Sequence, residues 1–165
     1  MPRKLSAYTA WPKISTRAPE NSIPAFEKAI EDGVDWIELD VHQTKDGVVV
    51  VTHDSDLNRL AGVDKQIYDL TYDELEQYDV GSWFSSDYSY LRVATFDEVC
   101  RLCKGKIKMN IELKPTGNEE NFEANVIKVL QDNNISPDSC VIASLQLPAI
   151  QTAKKIDPEY RTLYI

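Results

Sequence analysis

The sequence is poor in cysteine, histidine and positive charge, and it contains no long apolar run. Its 165 residues include 18 Lys and Arg against 27 Asp and Glu, which gives a formal charge of −9. This excess of acid argues against a nucleic-acid-binding protein, because such a protein needs a basic patch to meet phosphates. It argues equally against docking on an anionic membrane surface. Because no run of about 18 apolar residues occurs, we expect that the chain does not cross a membrane by itself.

The three cysteines are too few, and their number is odd, so they do not indicate a disulfide framework. Cys100 and Cys103 form a C-x-x-C pattern, which is found in redox pairs and in half of a zinc site. No second pattern of this kind follows along the chain. We therefore favour two small apolar residues that share one face of a helix.

What the sequence does contain is an alternation of extended and helical patterns. Hydrophobic residues make up 42%, enough for one packed domain. Helices are predicted after Ser22, after Thr71, after Thr95, over 119–132 and over 148–156. The alternation predicts a mainly parallel sheet that is covered by helices. The predicted strands are 13–15, 35–41, 48–52, 106–113, 140–145 and 161–165.

Two pairs of charged residues lie near the carboxyl ends of predicted strands. Glu38 and Asp40 share one face of the predicted strand 35–41, because residues i and i+2 point the same way. By the same rule, Glu112 of the predicted strand 106–113 and Lys114 just beyond it share one face. Ligands bind at this edge of parallel α/β folds. Three carboxylates there could hold Mg²⁺ or Ca²⁺, with the lysine beside an anionic substrate. The alternatives are a buried salt-bridge network or strand-end charges in solvent, and the presence of two such pairs favours the site.

Both histidines of the chain directly follow predicted strands. His53 directly follows the buried strand 48–52, in a position suited to general acid–base work. His42 either reaches the edge as well or begins the turn, and we favour the turn. The aromatic loop 81–92, with Trp83 and Phe84, is either a surface loop or a wall of the substrate site, and the sequence does not decide between them.

Several segments together resemble the glycerophosphodiester phosphodiesterases, which are (β/α)8 TIM-barrel enzymes. The segment around Gly81 and the end of the chain resemble the branch whose members also carry a membrane-embedded region. The resemblance covers the whole chain and implies a single domain over 1–165. It rests on Ala-Pro-Glu-Asn-Ser-Ile-Pro-Ala-Phe at 18–26, Gly-Val-Asp-Trp-Ile-Glu-Leu-Asp-Val at 33–41, Thr-Lys-Asp-Gly-Val-Val-Val-Val-Thr-His-Asp at 44–54, Asn58-Arg59, and Asn-Ile-Glu-Leu-Lys-Pro at 110–115.

The resemblance implies a reaction and a role for each site residue. The reaction is the metal-dependent hydrolysis of a glycerophosphodiester, a small molecule, to glycerol 3-phosphate and an alcohol. The cofactor is a divalent cation, Mg²⁺ or Ca²⁺. The implied metal ligands are Glu38, Asp40 and Glu112; the implied catalytic residues are His53 and Arg17, with Arg17 on the phosphate; and the implied substrate-binding residues are Lys114 and Glu20.

The chain departs from the family pattern in two places. Thr16 stands where the first catalytic histidine is expected. The chain also contains about six of the eight βα units of a barrel that typically takes about 250 residues. The alternative is therefore a degenerate member that binds metal and phosphate without turnover. Open sheet edges predict association into a homo-oligomer. We expect a soluble chain that is cytoplasmic or, by the family branch, associated with a membrane.

Overall fold

A computed structural model describes residues 17–165 and the short strand β1 (Ala7–Tyr8). The predicted strand 13–15 and Thr16 lie outside these residues. The remaining strands are β2 (Trp36–Gln43), β3 (Val49–Val51), β4 (Ala94–Thr95), β5 (Lys108–Leu113), β6 (Cys140–Ser144) and β7 (Arg161–Tyr164). The helices are α1 (Ile23–Glu31), α2 (Asn58–Ala61), α3 (Tyr72–Leu75), α4 (Phe96–Cys103), α5 (Phe122–Asp132) and α6 (Leu147–Ile156), and short 3₁₀ turns cover Ile67–Asp69, Ser86–Tyr88 and Pro137–Ser139.

The strands form one sheet in the order β4-β3-β2-β5-β6-β7, with β1 also paired to β2. Strand β2 pairs in parallel with β1 at its start and with β5 along its length, and β6 and β7 continue the parallel array. Strands β3 and β4 instead form an antiparallel branch that pairs with the end of β2. The parallel strands all place their carboxyl ends at one edge of the sheet.

Capping residues set the helix starts that the sequence predicted. The Ser22 side chain accepts a hydrogen bond from the Ala25 amide at the start of α1. Thr71 and Thr95 each form a capping box with the glutamate three residues later. Helix α3 is only one turn long, since of its residues Leu75 alone is buried. Short apolar stripes of this kind do not sustain a longer helix against solvent.

The core lies on the outer face of the parallel strands. Leu39 and Val41 of β2 alternate with Glu38, Asp40 and His42, so the apolar residues face the helices and the polar ones face the other way. The core is formed by Leu39, Val41, Phe96, Ile111, Leu113, Val126, Leu130 and Ile142, among others. A second cluster lies beneath the antiparallel branch and includes Val50, Leu57, Ile67, Leu75 and Leu91. This division leaves the inner face of the sheet for polar side chains.

The C-x-x-C pair is structural, as the sequence analysis favoured. Cys100 and Cys103 are fully buried in α4, and Cys140 is buried in β6. Burial raises the pKa of the Cys103 and Cys140 thiols to about 12. Because the thiolate is the reactive form, we expect no labelling of the native protein by a thiol reagent at pH 8. Three equivalents of label should bind after denaturation, and rapid native labelling would contradict the burial of these residues.

Candidate active site

Three carboxylates converge on the inner face of the sheet. Glu38 and Asp40 lie on β2, and Asp40 is the register partner of Glu112 on β5. One oxygen from each of the three side chains lies within 4.8 Å of the others. Burial, and then the nearby charge of Asp40, raises the pKa of Glu112 above its ordinary value. Such a cluster is costly without a compensating cation, so its chemistry fits a bound positive charge.

Asp40 is held in place from two sides. Its carboxylate accepts a hydrogen bond from the Asn21 side-chain amide at 2.9 Å, and its backbone N–H donates to the Asn21 side-chain oxygen at 3.3 Å. The Lys114 ammonium lies 3.3 Å from the other carboxylate oxygen. Asp40 is only 2% exposed. The carboxylate therefore keeps one orientation, with a partly exposed lysine beside it.

His53 belongs to a chain of charged contacts at the same edge. Its Nδ1 lies 2.7 Å from a carboxylate oxygen of Asp54, and the other oxygen of Asp54 accepts from the Arg59 Nε at 2.6 Å. Arg59 also donates to Glu20 at 2.5 Å. The Asp54 contact places the ring proton on Nδ1, so that in the neutral ring the lone pair is on Nε2. This arrangement suits an acid–base group.

The ion pairs shift the pKa values of both partners. Burial acts to raise the pKa of Asp54, but the hydrogen bonds from Arg59 and His53 outweigh it and lower that pKa. Burial likewise opposes the charge of Arg59, while Asp54 and Glu20 raise its pKa. Both groups are therefore charged near neutral pH.

Replacing Arg59 by Leu removes its ion pairs with Asp54 and Glu20. We expect the free energy of unfolding at pH 7 to fall by about 1 kcal/mol, since these side chains are partly exposed. The pKa of Asp54 is lowered in the folded state, so its stabilisation is present above the ordinary carboxyl pKa and is lost as the pH falls through the folded value. Urea titrations of both proteins from pH 7 to about pH 2 measure this. A difference that stays constant down to the lowest pH would contradict the ion-pair explanation.

The prediction that His42 begins the turn is wrong. His42 lies within β2, where the β2–β3 hairpin pairs it with Val50, and it is 3% exposed. Its Nε2 lies 3.2 Å from the backbone carbonyl of His53, and its buried Nδ1 has no hydrogen-bond partner in the described part of the chain. Burial lowers the pKa of His42, so the ring is neutral at pH 7 and Nε2 donates to the carbonyl. His42 therefore supports the segment that carries His53.

The structure does not bring the Arg17 guanidinium to the three carboxylates. The Arg17 side chain is exposed and lies 3.4 Å from Asp32, at the carboxyl end of α1. Asn21, which contacts Asp40, lies just before the other end of that nine-residue helix, which is about 13 Å long. Of the predicted substrate-binding residues, Lys114 reaches the cluster, whereas Glu20 contacts Arg59.

The sequence analysis did not assign roles to Asn21, Asp54 and Arg59. All three lie within segments that resemble the family, and Asp54 directly follows His53, so the signal was present in the motifs. Periodicity could not find them, because it relates residues within one strand or helix and not side chains on separate segments of the chain.

The aromatic loop packs against the contacts that hold His53. The Arg59 guanidinium lies 5.6 Å from the ring centre of Trp83. Phe84 and Tyr88 continue the row with edge-to-face contacts, and the Tyr88 hydroxyl donates to the backbone carbonyl of Arg17. This position favours a wall beside the site over a surface loop without contact to it.

A cleft of about 250 Å³ opens at the carboxyl edge of the strands. Its lining includes residues from β2, β5 and β6 and from the loops that follow strands β3, β5 and β6. Among them are His42, His53, Glu112, Lys114, Ser144 and Gln146. The cleft thus brings Glu112 of the carboxylate cluster, Lys114 and His53 to one solvent-accessible space.

These features define a parallel α/β protein of the TIM-barrel class, with a cluster of carboxylates suited to a cation at the carboxyl edge of its strands. The chain belongs to the glycerophosphoryl diester phosphodiesterase family, whose model matches residues 14–164. The resemblance and the fold class that the sequence indicated are thereby confirmed, and the described sheet is part of such a barrel.

Proteins of known structure and named relatives agree with this membership. A phosphodiesterase from Oleispira antarctica, solved with the product sn-glycerol-3-phosphate, is 30% identical with a TM-score of 0.85, and the match covers 96% of this chain and 64% of that one. A glycerophosphodiester phosphodiesterase from Caldanaerobacter subterraneus is 34% identical over 154 residues, which cover 89% of this chain and 61% of that protein. A human protein named lysophospholipase D is 51% identical over 59 residues, covering 36% of this chain and 19% of that protein.

The chain spans about 60% of the length of the bacterial relatives and solved structures that it matches. Among the described residues, no helix is long and apolar enough to cross a bilayer.

Proposed function

We propose that the protein hydrolyses glycerophosphodiesters to glycerol 3-phosphate and an alcohol with the help of a divalent cation. The observation that carries this proposal is the convergence of Glu38, Asp40 and Glu112 beside Lys114 and His53. Membership of the family supports the reaction class, and the Oleispira antarctica relative was solved with that product.

In this proposal the described residues divide the work between charge and proton transfer. The Lys114 ammonium offsets negative charge that develops on the phosphoryl oxygens. His53 moves a proton at Nε2, while Asp54 holds its Nδ1 proton. Arg59 and Glu20 keep Asp54 in position. The Arg17 side chain lies beside Asp32 in this structure, and its contact with the phosphate stays a prediction.

Glu38, Asp40 and Glu112 would hold the cation. Their donor atoms are carboxylate oxygens, which both Mg²⁺ and Ca²⁺ prefer. When bound, the cation supplies a positive charge that polarises the phosphoryl group. The pair of carboxylates on β2 and the third on β5 are set by strand register, so the site is organised by the sheet itself.

The alternative, a member that binds metal and phosphate without turnover, rests on the histidine count. The chain contains only His42 and His53. His42 is buried and donates to the His53 carbonyl, so it does not supply a second acid–base group at the phosphate. Loss of one such group typically lowers a rate by about 10²–10⁴. We therefore expect turnover that is slow in comparison with a two-histidine relative.

The test measures glycerol 3-phosphate released from glycerophosphocholine or glycerophosphoethanolamine with Mg²⁺ or Ca²⁺. The matched control is Glu112→Gln, which keeps the side-chain size but removes the charge. Product that depends on the metal and on Glu112 supports the enzyme. Absence of such product, together with a melting temperature that still rises on metal addition, supports the non-catalytic alternative.

Assembly of the chain stays a prediction, as does its treatment as one domain over 1–165. Strand β7 has exposed apolar side chains, with Leu163 at 47% and Tyr164 at 58%. Exposed strand edges of this kind favour association. Sedimentation of the purified chain measures this, and a monomer at all concentrations would contradict it.

A further inference from the structure

A fourth polar side chain, that of Asn110, lies beside the three carboxylates on the paired strands β2 and β5. The pairing of β2 with β5 places Asp40 beside Glu112, and Glu38 beside Asn110. Asn110 and Glu112 are two residues apart on β5, so their side chains project from the same face of the sheet. The four inward-facing residues therefore form two adjacent cross-strand pairs, and Asn110 is the uncharged one of the four.

The side-chain oxygen of Asn110 is buried and has no hydrogen-bond partner among the described residues. A buried acceptor of this kind costs about 1–3 kcal/mol relative to one that is satisfied. The described part of the chain contains two further buried side-chain atoms of this kind, on His42 and Thr52. Asn110 pairs with Glu38 of the carboxylate cluster and lies two residues before Glu112 on the same face of β5.

An amide oxygen is a suitable ligand for a hard divalent cation. Ca²⁺ in particular takes six to eight oxygen ligands from carboxylates, from Asn or Gln side chains and from backbone carbonyls. Three carboxylates alone leave such an ion dependent on water for the rest of its shell. An ion is also small enough to contact an oxygen that a water molecule does not reach.

We propose that the Asn110 side-chain oxygen is a fourth protein ligand of the cation held by Glu38, Asp40 and Glu112. The inference rests on the proposed cation site and deepens it. Asn110 adds an oxygen without a further negative charge, in a cluster where burial and Asp40 already raise the pKa of Glu112. The neutral fourth ligand thus limits repulsion between the ligands when no ion is bound.

The experiment titrates Ca²⁺ into the purified 165-residue chain by isothermal calorimetry, and it does not use turnover. Asn110→Leu keeps a similar volume and removes the oxygen, whereas Asn110→Asp retains an oxygen at the same position. The matched control is Asn133→Leu, the same substitution at the end of α5, where the asparagine side chain contacts Asp97 and the Val129 carbonyl. Circular dichroism verifies the fold of each variant.

We expect Asn110→Leu to weaken Ca²⁺ binding by about tenfold or more. Asn110→Asp should bind at least as tightly as wild type, and Asn133→Leu should bind as wild type does. An unchanged Kd in Asn110→Leu overturns the proposal. If Asn110→Leu does not fold, Asn110→Asp decides, and weaker binding by a folded Asn110→Asp overturns it. No Ca²⁺ binding by the wild type would instead overturn the underlying cation site, so the two failures are distinguishable.

Discussion

His53→Gln is expected to lower the rate of glycerophosphodiester hydrolysis by about 10²–10⁴. Glutamine retains a polar side chain of similar reach but does not exchange a proton near neutral pH. The loss should fall on kcat, because proton transfer belongs to the transition state and not to substrate binding. Steady-state kinetics at saturating metal, with glycerol 3-phosphate as the measured product, give the comparison.

Two controls separate this loss from damage to the fold. The His53 side chain is about one-third exposed, so the melting temperature of His53→Gln should stay close to that of wild type. The rise in melting temperature on Ca²⁺ addition should also persist, because His53 is not one of the three clustered carboxylate residues. Activity within threefold of wild type would show that another group moves the proton, which is a fold-change well below the range above.

Strand periodicity was sufficient to predict the carboxylate cluster. Glu38 and Asp40 share a strand face, Glu112 lies on another strand, and both strands are parallel neighbours in the sheet. The sequence alone showed which residues share a strand face and that they lie near the carboxyl ends of their strands. In a parallel sheet the carboxyl ends of neighbouring strands lie at the same edge. What the sequence could not supply was the register, which makes Asp40 and Glu112 direct partners.

The prediction for His42 failed because the hairpin extends β2 beyond the point where its apolar pattern ends. Gln43 and His42 pair with Val49 and Val50, although neither residue is a strong strand former. Backbone pairing with the apolar run of β3 overrides that weak local preference. The same hairpin turns the run 48–52 antiparallel, which its composition did not indicate.

The contacts among Asp54, Arg59 and Glu20 could not be predicted from the sequence. Asp54, Arg59 and Glu20 lie on separate segments, and their meeting depends on how the antiparallel branch folds back over the site. Arg17 shows the reverse case. The family resemblance implied a phosphate contact for Arg17, whereas its long side chain lies beside Asp32, the residue after α1.

The Asp40–Lys114 pair leads to the largest expected effect on stability. Asp40→Ala removes a buried carboxylate and leaves the Lys114 ammonium and the Asn21 amide without their acceptor. Breaking a buried ion pair in this way costs about 3–5 kcal/mol. The partial exposure of Lys114 and the relief of repulsion between Asp40 and Glu112 both favour the lower end of that range. Urea denaturation in the absence of divalent metal measures the free energy of unfolding.

The double variant Asp40→Leu with Lys114→Met tests whether the cost comes from the orphaned charge or from the lost contact. If the uncompensated ammonium dominates, the double variant should recover most of the stability, because apolar residues of similar volume replace both charges. If the cost instead reflects a net attraction between the two groups, the double variant stays as unstable as Asp40→Ala. Because the Lys114 side chain is only 22% exposed, we expect recovery, with metal binding lost in both variants since Asp40 is absent from each.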